Sequence, residues 1–103
     1  MNVEDIGQLT NDETIAITVH AKKRLQERNI LLDDVEQAIK TGSIIEEYPD
    51  DKPFPSCLIS GMAVNGRVLH TVVSRYEEFL YLITAYWPDS EKWTNNFTTR
   101  RNK

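Results

Sequence analysis

The dipeptide Asn65-Gly66 constrains the fold of this chain more than any other short segment. It separates two runs rich in branched apolar residues, 56–64 and 67–74. Both residues of the dipeptide tolerate the positive φ angles of a two-residue type I′ turn. The pattern therefore predicts a β-hairpin, and the neighbouring segments must be compatible with an antiparallel pair of strands at the middle of the chain.

Two further apolar runs flank this hairpin and indicate a larger sheet. Residues 43–48 form the first run, which ends at Pro49, and residues 80–87 form the second, which ends at Pro88. Proline has no backbone N–H to donate to a strand ladder, so each run ends there. The proline-rich stretch 49–55 is then a stiff loop. We expect a four-stranded antiparallel meander.

The residues that precede the sheet carry helix signals. Thr18 is a good N-cap, and the helix that follows should end at Asn29, which tolerates the left-handed conformation. Asp33, with Glu36 three residues later, predicts the start of a second helix. Gly42 is the expected end of that helix. These patterns place two helices before the first strand.

The predicted fold class is α+β, with the two N-terminal helices packed on one face of the sheet. The opposite face is then open to solvent or to a partner. Asp89 predicts a short C-terminal helix that runs through Trp93. We treat residues 1–103 as a single domain, in which residues 1–14 form a loose N-terminal arm and residues 15–101 form the core.

The composition restricts where the protein works. Cys57 is the only cysteine, which excludes an internal disulfide and favours a reducing compartment. No apolar run approaches the roughly 18 residues that cross a bilayer, and the acidic start of the chain is not a signal peptide. We therefore expect a cytoplasmic protein with no membrane association.

The net charge of −4 counts against a nucleic-acid substrate, because proteins that bind nucleic acids without sequence preference usually carry a positive field. The basic residues are nevertheless clustered. One cluster lies on the first predicted helix and a second lies near the C-terminus, where it includes Lys92 and Arg100. Local basic patches are therefore compatible with the negative net charge of the whole chain.

One edge of the first predicted helix carries His20, Arg24 and Glu27 in a row. An imidazole, a guanidinium and a carboxylate in this arrangement can transfer a proton, bind a phosphate and orient the imidazole. The same spacing also fits a solvated polar flank with an ion pair between Arg24 and Glu27. Spacing alone leaves both interpretations open.

His70 lies within a predicted strand, where it alternates with Val68 and Val72. It is either a hydrogen-bonded core residue or, on the exposed face with Tyr86, part of a site. Cys57 does not lie opposite His70 across the hairpin, and it is interpreted as a buried thiol rather than a nucleophile.

Aromatic and basic residues alternate near the C-terminus. The aromatic residues are Tyr86, Trp87, Trp93 and Phe97, and the basic ones include Lys92 and Arg100. Such a mixture can stack bases and hold phosphates, or it can form the edge of a small core beside a solvated tail. The histidines and the cysteine have no zinc-site spacing, and no glycine-rich phosphate loop is present, so we expect no metal and no cofactor.

Four segments together resemble the bacterial domain-of-unknown-function family 4258. They are HAKKRLQERNI at 20–30, DDVEQAIKTGSIIEEYPDDKPFPSCLISG at 33–61, GRVLHTVV at 66–73 and ITAYWPDSEKW at 83–93. The resemblance extends over about residues 17 to 101. This family is similar in fold to RelE-type toxins and barnase-like ribonucleases, and its genes often lie beside those of small zinc-finger antitoxins. The resemblance therefore implies the toxin of a toxin–antitoxin pair.

The implied activity is a ribonuclease that uses no metal. The 2′-hydroxyl of RNA attacks the adjacent phosphorus and leaves a 2′,3′-cyclic phosphate end. The family pattern points to His20, Arg24, Arg28 and His70, and to Tyr86. It assigns the acid and base roles to the two histidines and phosphate binding to the two arginines, while Glu27 orients a partner or acts as the base.

The implied partners are an RNA substrate and a small zinc-finger antitoxin. Tyr86, Lys92, Arg100 and Arg28 are the predicted substrate-binding residues. Two other functions fit the same sequence. One is a non-catalytic binding module that offers its sheet edge to another protein, which suits the acidic surface. The other is a subunit of a larger complex, with Trp87 and Trp93 as interface anchors.

Overall fold

A computed structural model describes residues 15–76 and 79–100 of the chain. The predicted N-terminal arm, residues 1–14, lies outside the described residues. Within the described part the fold is α+β, with two helices and a five-stranded sheet. Neither of these helices is long and apolar enough to span a membrane.

The elements follow one another in a simple order. They are β1 (Ile15–Ile17), α1 (Val19–Glu27), α2 (Leu32–Thr41), β2 (Ser43–Tyr48), β3 (Ser56–Met62), β4 (Val68–Tyr76), β5 (Phe79–Tyr86), β6 (Trp93–Thr94) and β7 (Thr99–Arg100). The sheet has the order β1-β5-β4-β3-β2, and β6 pairs with β7 separately. Strands β2 to β5 form the predicted antiparallel meander.

The prediction of four strands is wrong by one, because the described residues include β1 at the sheet edge. This strand pairs with β5 in parallel, with Ile15 opposite Leu80 and Ile17 opposite Leu82. Three residues are too few to show the period-two alternation that identifies a strand in a sequence. Residues 15–17 form a strand because folding leaves one edge of β5 free, and β1 pairs with that edge.

The predicted ends of α1 are confirmed, whereas the start of α2 differs from the prediction. Thr18 caps α1 by accepting a hydrogen bond from the Ala21 amide at 3.0 Å, and Asn29 beyond its C-terminus has a φ of 55°. Helix α2 begins at Leu32, before Asp33. The Asp34 carboxylate accepts the Leu31 amide at 3.0 Å and therefore closes this end of the helix.

The central hairpin is confirmed, but its predicted turn type is wrong. Only Gly66 in this turn has a positive φ, of 84°, whereas a type I′ turn also requires one at Asn65. The Gly66 amide donates to the Ala63 carbonyl at 3.0 Å, and the Ala63 amide donates to the Arg67 carbonyl at 2.8 Å. Val64 thus joins the dipeptide in a three-residue loop with glycine in the left-handed position.

The two helices cover one face of the sheet, as predicted. Helix α1 packs on β5, and α2 packs on β3 and β4. Val35, Ala38 and Ile39 of α2 are fully buried in this core. The approach of α2 to the sheet requires Gly61, because a Cβ at this position would overlap the carbonyl oxygen of Ala38.

The predicted C-terminal helix is absent from the described residues. A single turn forms at Asp89, whose carbonyl accepts the Trp93 amide at 3.1 Å. Asn95, Asn96 and Phe97 then adopt positive φ angles of 53°, 56° and 67°, which end any right-handed helix. Strands β6 and β7 form a short hairpin instead, and its Trp93 side chain packs on the sheet face that the helices leave open.

Candidate functional site

The face of the sheet away from the helices carries a group of polar side chains. Leu69 and Val73 of β4 belong to the core beneath the helices. Because side chains alternate along a strand, His70 and Val72 between them point to the opposite face. His70 pairs with Tyr86 of β5 across the sheet.

His70 is fully buried, and both of its ring nitrogens have partners. Nε2 lies 2.7 Å from the carbonyl oxygen of Phe97, and Nδ1 lies 3.2 Å from the Tyr86 hydroxyl. A carbonyl oxygen can only accept, so Nε2 carries the hydrogen and Nδ1 of the neutral ring accepts from Tyr86. Burial lowers the pKa of His70, which favours this neutral form.

Two aromatic rings enclose the imidazole. The Trp93 ring is perpendicular to it at a centroid distance of 4.6 Å, and the Tyr86 ring meets it edge-on at 5.3 Å. Trp93 is itself buried. The β6–β7 hairpin therefore closes over His70, and the hydroxyl that contacts its ring belongs to the half-buried Tyr86.

Glu46 and Arg100 form a bidentate ion pair beside the His70 ring. Arg100 donates from Nε to Glu46 Oε2 at 2.7 Å and from Nη2 to Oε1 at 3.1 Å. The Tyr48 hydroxyl also donates to Oε1, at 2.6 Å. The Arg100 guanidinium lies 4.6 Å above the Trp93 ring, so the pair joins β2 to the C-terminal hairpin.

These contacts set the charges of the cluster. Partial burial alone would raise the pKa of Glu46, but the hydrogen bonds from Arg100 and Tyr48 outweigh it and hold that pKa below its usual value. Burial and the bond to Glu46 raise the pKa of Tyr48 to about 12, and burial also raises the pKa of Tyr86. At neutral pH the site thus presents a carboxylate, a guanidinium, two protonated phenols and a neutral imidazole.

We call this group the His70 cluster; it consists of Glu46, Tyr48, His70, Tyr86, Trp93 and Arg100. Three of its members, His70, Tyr86 and Arg100, are among the predicted site residues. Glu46 was missed because a β-bulge between Ile44 and Glu46 changes which face it occupies. Glu46 and Tyr48 are two residues apart on one strand, so they lie on the same face. This spacing was the sequence signal that could have placed Glu46 beside Tyr48.

The other predicted catalytic residues lie elsewhere, on α1. Arg24 and Glu27 form an exposed ion pair at 2.8 Å, which is the polar-flank arrangement considered above. His20 is exposed and lines a separate cavity of about 510 Å³ together with Tyr81 and Ile83. None of the ring contacts or hydrogen bonds described for His70 involves these three residues. Their predicted catalytic role stays a prediction.

Arg28 is engaged with the end of β5. Its Nη1 donates to the Ala85 carbonyl at 2.7 Å and to the Thr84 hydroxyl at 3.3 Å. Its own carbonyl accepts the indole N–H of Trp87 at 2.8 Å. These bonds give Arg28 a structural function, and its predicted contact with RNA is untested. Lys92 is exposed in the turn before β6.

Cys57 is a buried thiol, as expected. Its exposed fraction is 1%, and it pairs with Val73 rather than with His70. Burial raises the pKa of the Cys57 thiol to about 11, so little thiolate forms at neutral pH. No group of three or more His, Cys, Asp or Glu side chains in residues 15–76 and 79–100 is placed to hold a metal ion.

Comparison with known families agrees with the sequence resemblance. A family model described as Domain of unknown function (DUF4258) matches residues 17–87. The chain belongs to this family. The DUF4258 match includes Glu46, His70 and Tyr86 and ends before β6 and β7, so Trp93 and Arg100 lie beyond it. No curated protein and no solved structure matches the chain.

Proposed function

We propose that this DUF4258 protein is a ribonuclease without a catalytic metal, and that the His70 cluster is its active site. The observation that carries the proposal is the assembly of a carboxylate, a phenol and a guanidinium around one enclosed imidazole on the open sheet face. Transesterification of RNA needs a proton acceptor, a proton donor and a cation for the phosphorane, and this cluster holds one of each.

The reaction uses three members of the cluster that are not fully buried, Glu46, Tyr86 and Arg100. Glu46 takes the proton from the ribose 2′-hydroxyl, and the resulting oxygen attacks the adjacent phosphorus. The bond from phosphorus to the 5′-oxygen breaks, and Tyr86 gives its proton to that leaving oxygen. Exchange with water then returns a proton to Tyr86 and removes one from Glu46. The products are a 2′,3′-cyclic phosphate and a free 5′-hydroxyl.

Arg100 stabilises the negative charge of the phosphorane. Its side chain is 60% exposed, so a phosphate can reach the guanidinium from solvent. A phosphate that binds there competes with Glu46 for the same donors. Because the Arg100 bonds hold the pKa of Glu46 down, their loss raises that pKa and makes the carboxylate a stronger base at the time it is needed.

His70 acts through Tyr86 and is a positioning residue. It is fully buried, so a bound substrate would not contact its ring. The Phe97 carbonyl fixes the hydrogen on Nε2, and the Nδ1 lone pair therefore accepts the hydrogen of the Tyr86 hydroxyl. This bond holds the hydroxyl in place, and it breaks when Tyr86 gives that hydrogen to the leaving oxygen. This assignment replaces the predicted acid or base role of His70 by an indirect one.

A toxin role with a small zinc-finger antitoxin, and a likeness in fold to RelE-type and barnase-like ribonucleases, are part of the same proposal. They rest on the resemblance, which the DUF4258 membership supports at the level of the family. The sheet face that carries the cluster suits this proposal, because one face of an antiparallel sheet is left free for a ligand.

The test uses purified protein treated with EDTA and incubated with mixed-sequence single-stranded RNA. Fragments with 2′,3′-cyclic phosphate ends are expected from the wild type, and Glu46→Gln should abolish them. Glu91→Gln, which makes the same change at an exposed position in the turn before β6, is the matched control and should cleave normally. Intact RNA with folded wild-type protein would contradict the proposal for free RNA.

The same assay addresses His20. If His20 takes part in the chemistry, as the family pattern implies, His20→Ala should lose cleavage while its circular dichroism stays that of the wild type. Unchanged cleavage would limit the active site to the His70 cluster.

A non-catalytic binding module is the second candidate function. The observation in its favour is that the members of the cluster satisfy one another's hydrogen bonds: His70 is fully buried, and both Glu46 oxygens accept hydrogen bonds from Arg100. Such a site can simply hold the C-terminal hairpin on the sheet. In that case the cluster variants lose stability, and no cleavage is seen in any of them.

A further inference from the structure

Two cavities lie on the open sheet face next to the His70 cluster, one member of which, Tyr48, lines the first cavity. The first, of about 520 Å³, is reached at Val72, the next residue of β4 on this face. The second, of about 510 Å³, follows at Ser74 and Tyr76. Asp51 lines both. The two cavities therefore meet at Asp51.

The second cavity is apolar and aromatic. Phe54 and Tyr76 stack there with ring centroids 4.2 Å apart and an angle of 17° between their planes. Tyr81 and Ile83 complete the wall. Tyr76 and Ile83 are 43% and 37% exposed, which leaves large apolar surface in contact with water. A cavity of this kind suits an inserted aliphatic or aromatic side chain.

The first cavity is acidic. Within the described part of the chain, its lining includes Asp50 and Asp51 but no lysine or arginine. The Asp51 carboxylate is fixed in place, since it accepts the Ser56 hydroxyl at 2.6 Å and the Lys52 amide at 3.0 Å. The charges here favour a cationic ligand and oppose a phosphate backbone. Among the described residues, Lys52 is the one lysine or arginine that lines the apolar cavity, and His20 also lines it.

We propose that the two cavities together dock a segment of a partner protein in which an aromatic or aliphatic side chain stands next to a lysine or arginine. The apolar side chain enters between Tyr76, Tyr81 and Ile83, and the neighbouring cation binds at Asp50 and Asp51. Charge complementarity selects this occupant over RNA. The inference does not rest on the proposed ribonuclease activity, because its three reacting groups, Glu46, Tyr86 and Arg100, line neither cavity. Tyr48 of the His70 cluster lines the first cavity and His20 lines the second, but the proposed reaction uses neither.

The experiment titrates full-length, isotope-labelled protein with a synthetic peptide in which one phenylalanine is flanked by lysines. The readout is the set of NMR chemical-shift changes. We expect saturable shifts at Tyr76, Tyr81 and Ile83, with a Kd of about 1 mM or tighter, as suits a short flexible peptide. A peptide with glutamates in place of the lysines should bind at least about fivefold more weakly.

Two variants and two matched controls locate the site. Ile83→Lys should remove binding, whereas Val64→Lys, which introduces the same charge at an apolar residue 66% exposed in the hairpin loop, should bind as wild type. Asp50→Lys should weaken binding about fivefold or more, whereas Glu91→Lys changes the charge equally at an exposed residue that lines neither cavity and should not weaken binding. Heteronuclear spectra of each variant report whether it is folded.

Three results would overturn the inference. They are the absence of shifts at millimolar peptide, equal binding of the glutamate peptide, and shifts at the same residues with a single-stranded RNA oligonucleotide that exceed those with the lysine peptide. The last would assign this surface to nucleic acid. Failure of RNA cleavage with intact peptide binding would leave the docking site standing and reject the ribonuclease alone.

Discussion

His70 donates a hydrogen bond from Nε2 to the carbonyl oxygen of Phe97, at 2.7 Å, and so links the middle of the sheet to the turn of the C-terminal hairpin. Phe97 has a φ of 67°, a conformation that costs a non-glycine residue of order 1–3 kcal/mol. The bond to a buried imidazole helps to hold that turn. The hairpin in turn supplies Trp93 and Arg100 to the His70 cluster.

We expect the stability of the protein to fall as the pH is lowered from about 7.5 to about 5.5. Burial holds the pKa of His70 below the roughly 6.5 of the unfolded chain. In this window the unfolded chain therefore binds more protons, and acid favours unfolding. The contribution of neutral His70 to stability is complete above its pKa in the unfolded chain. It is lost as the pH falls toward the lower pKa of His70 in the folded protein.

Urea unfolding at several pH values measures this effect. One proton limits the contribution of His70 to at most about 1.4 kcal/mol per pH unit. The His70→Gln variant should show a flatter dependence over the same window. Glu46 has a lowered pKa and also loses stability in acid, but its window begins near pH 4.3, the usual value of an unfolded glutamate, and extends below it. An equally steep dependence in His70→Gln would contradict the prediction.

Tyr86→Phe removes the hydroxyl that the proposed reaction uses as its acid. We expect the single-turnover rate of RNA cleavage to fall about 10²-fold or more, because one general acid contributes 10²–10⁴-fold. The variant also leaves Nδ1 of His70 without its donor, which costs about 1 kcal/mol of stability. Cleavage at the wild-type rate by a folded Tyr86→Phe protein would remove Tyr86 from the reaction.

Gly61→Ala should destabilise the protein by about 3 kcal/mol or more, because the added Cβ meets the backbone carbonyl of Ala38 rather than a movable side chain. Gly66→Ala is the comparison. Its Cβ would meet nothing within 4 Å, and the cost should be only about 1 kcal/mol, from the φ of 84°. Thermal or urea unfolding gives both values, and equal losses would show that α2 moves to accommodate the methyl group.

Cys57 should be almost unreactive toward thiol reagents in the folded protein. Its side chain is buried, and burial raises the pKa of the thiol to about 11. The rate of reaction with a chromogenic disulfide at pH 8 should therefore follow unfolding as urea is added. Fast stoichiometric reaction without denaturant would mean that β3 opens readily.

The sequence determined the elements whose signals are local. The helix cap at Thr18, the left-handed Asn29 and the hairpin around Gly66 depend on neighbours a few residues away, and each is found where it was predicted. The spacing of Val35, Ala38 and Ile39 likewise marks one face of α2, and all three are buried in the core. The family resemblance followed from the same contiguous segments.

The tertiary structure decided the features that depend on contacts between segments far apart in the sequence. Strand β1 exists because β5 offers it an edge, and Glu46 meets Arg100 across 54 positions of sequence because a bulge in β2 turns its side chain to the open face. The exposed row of His20, Arg24 and Glu27 was visible as a pattern, whereas the His70 cluster was visible only in part. Periodicity reports which residues share a face of one element, but the packing of all elements determines which faces meet.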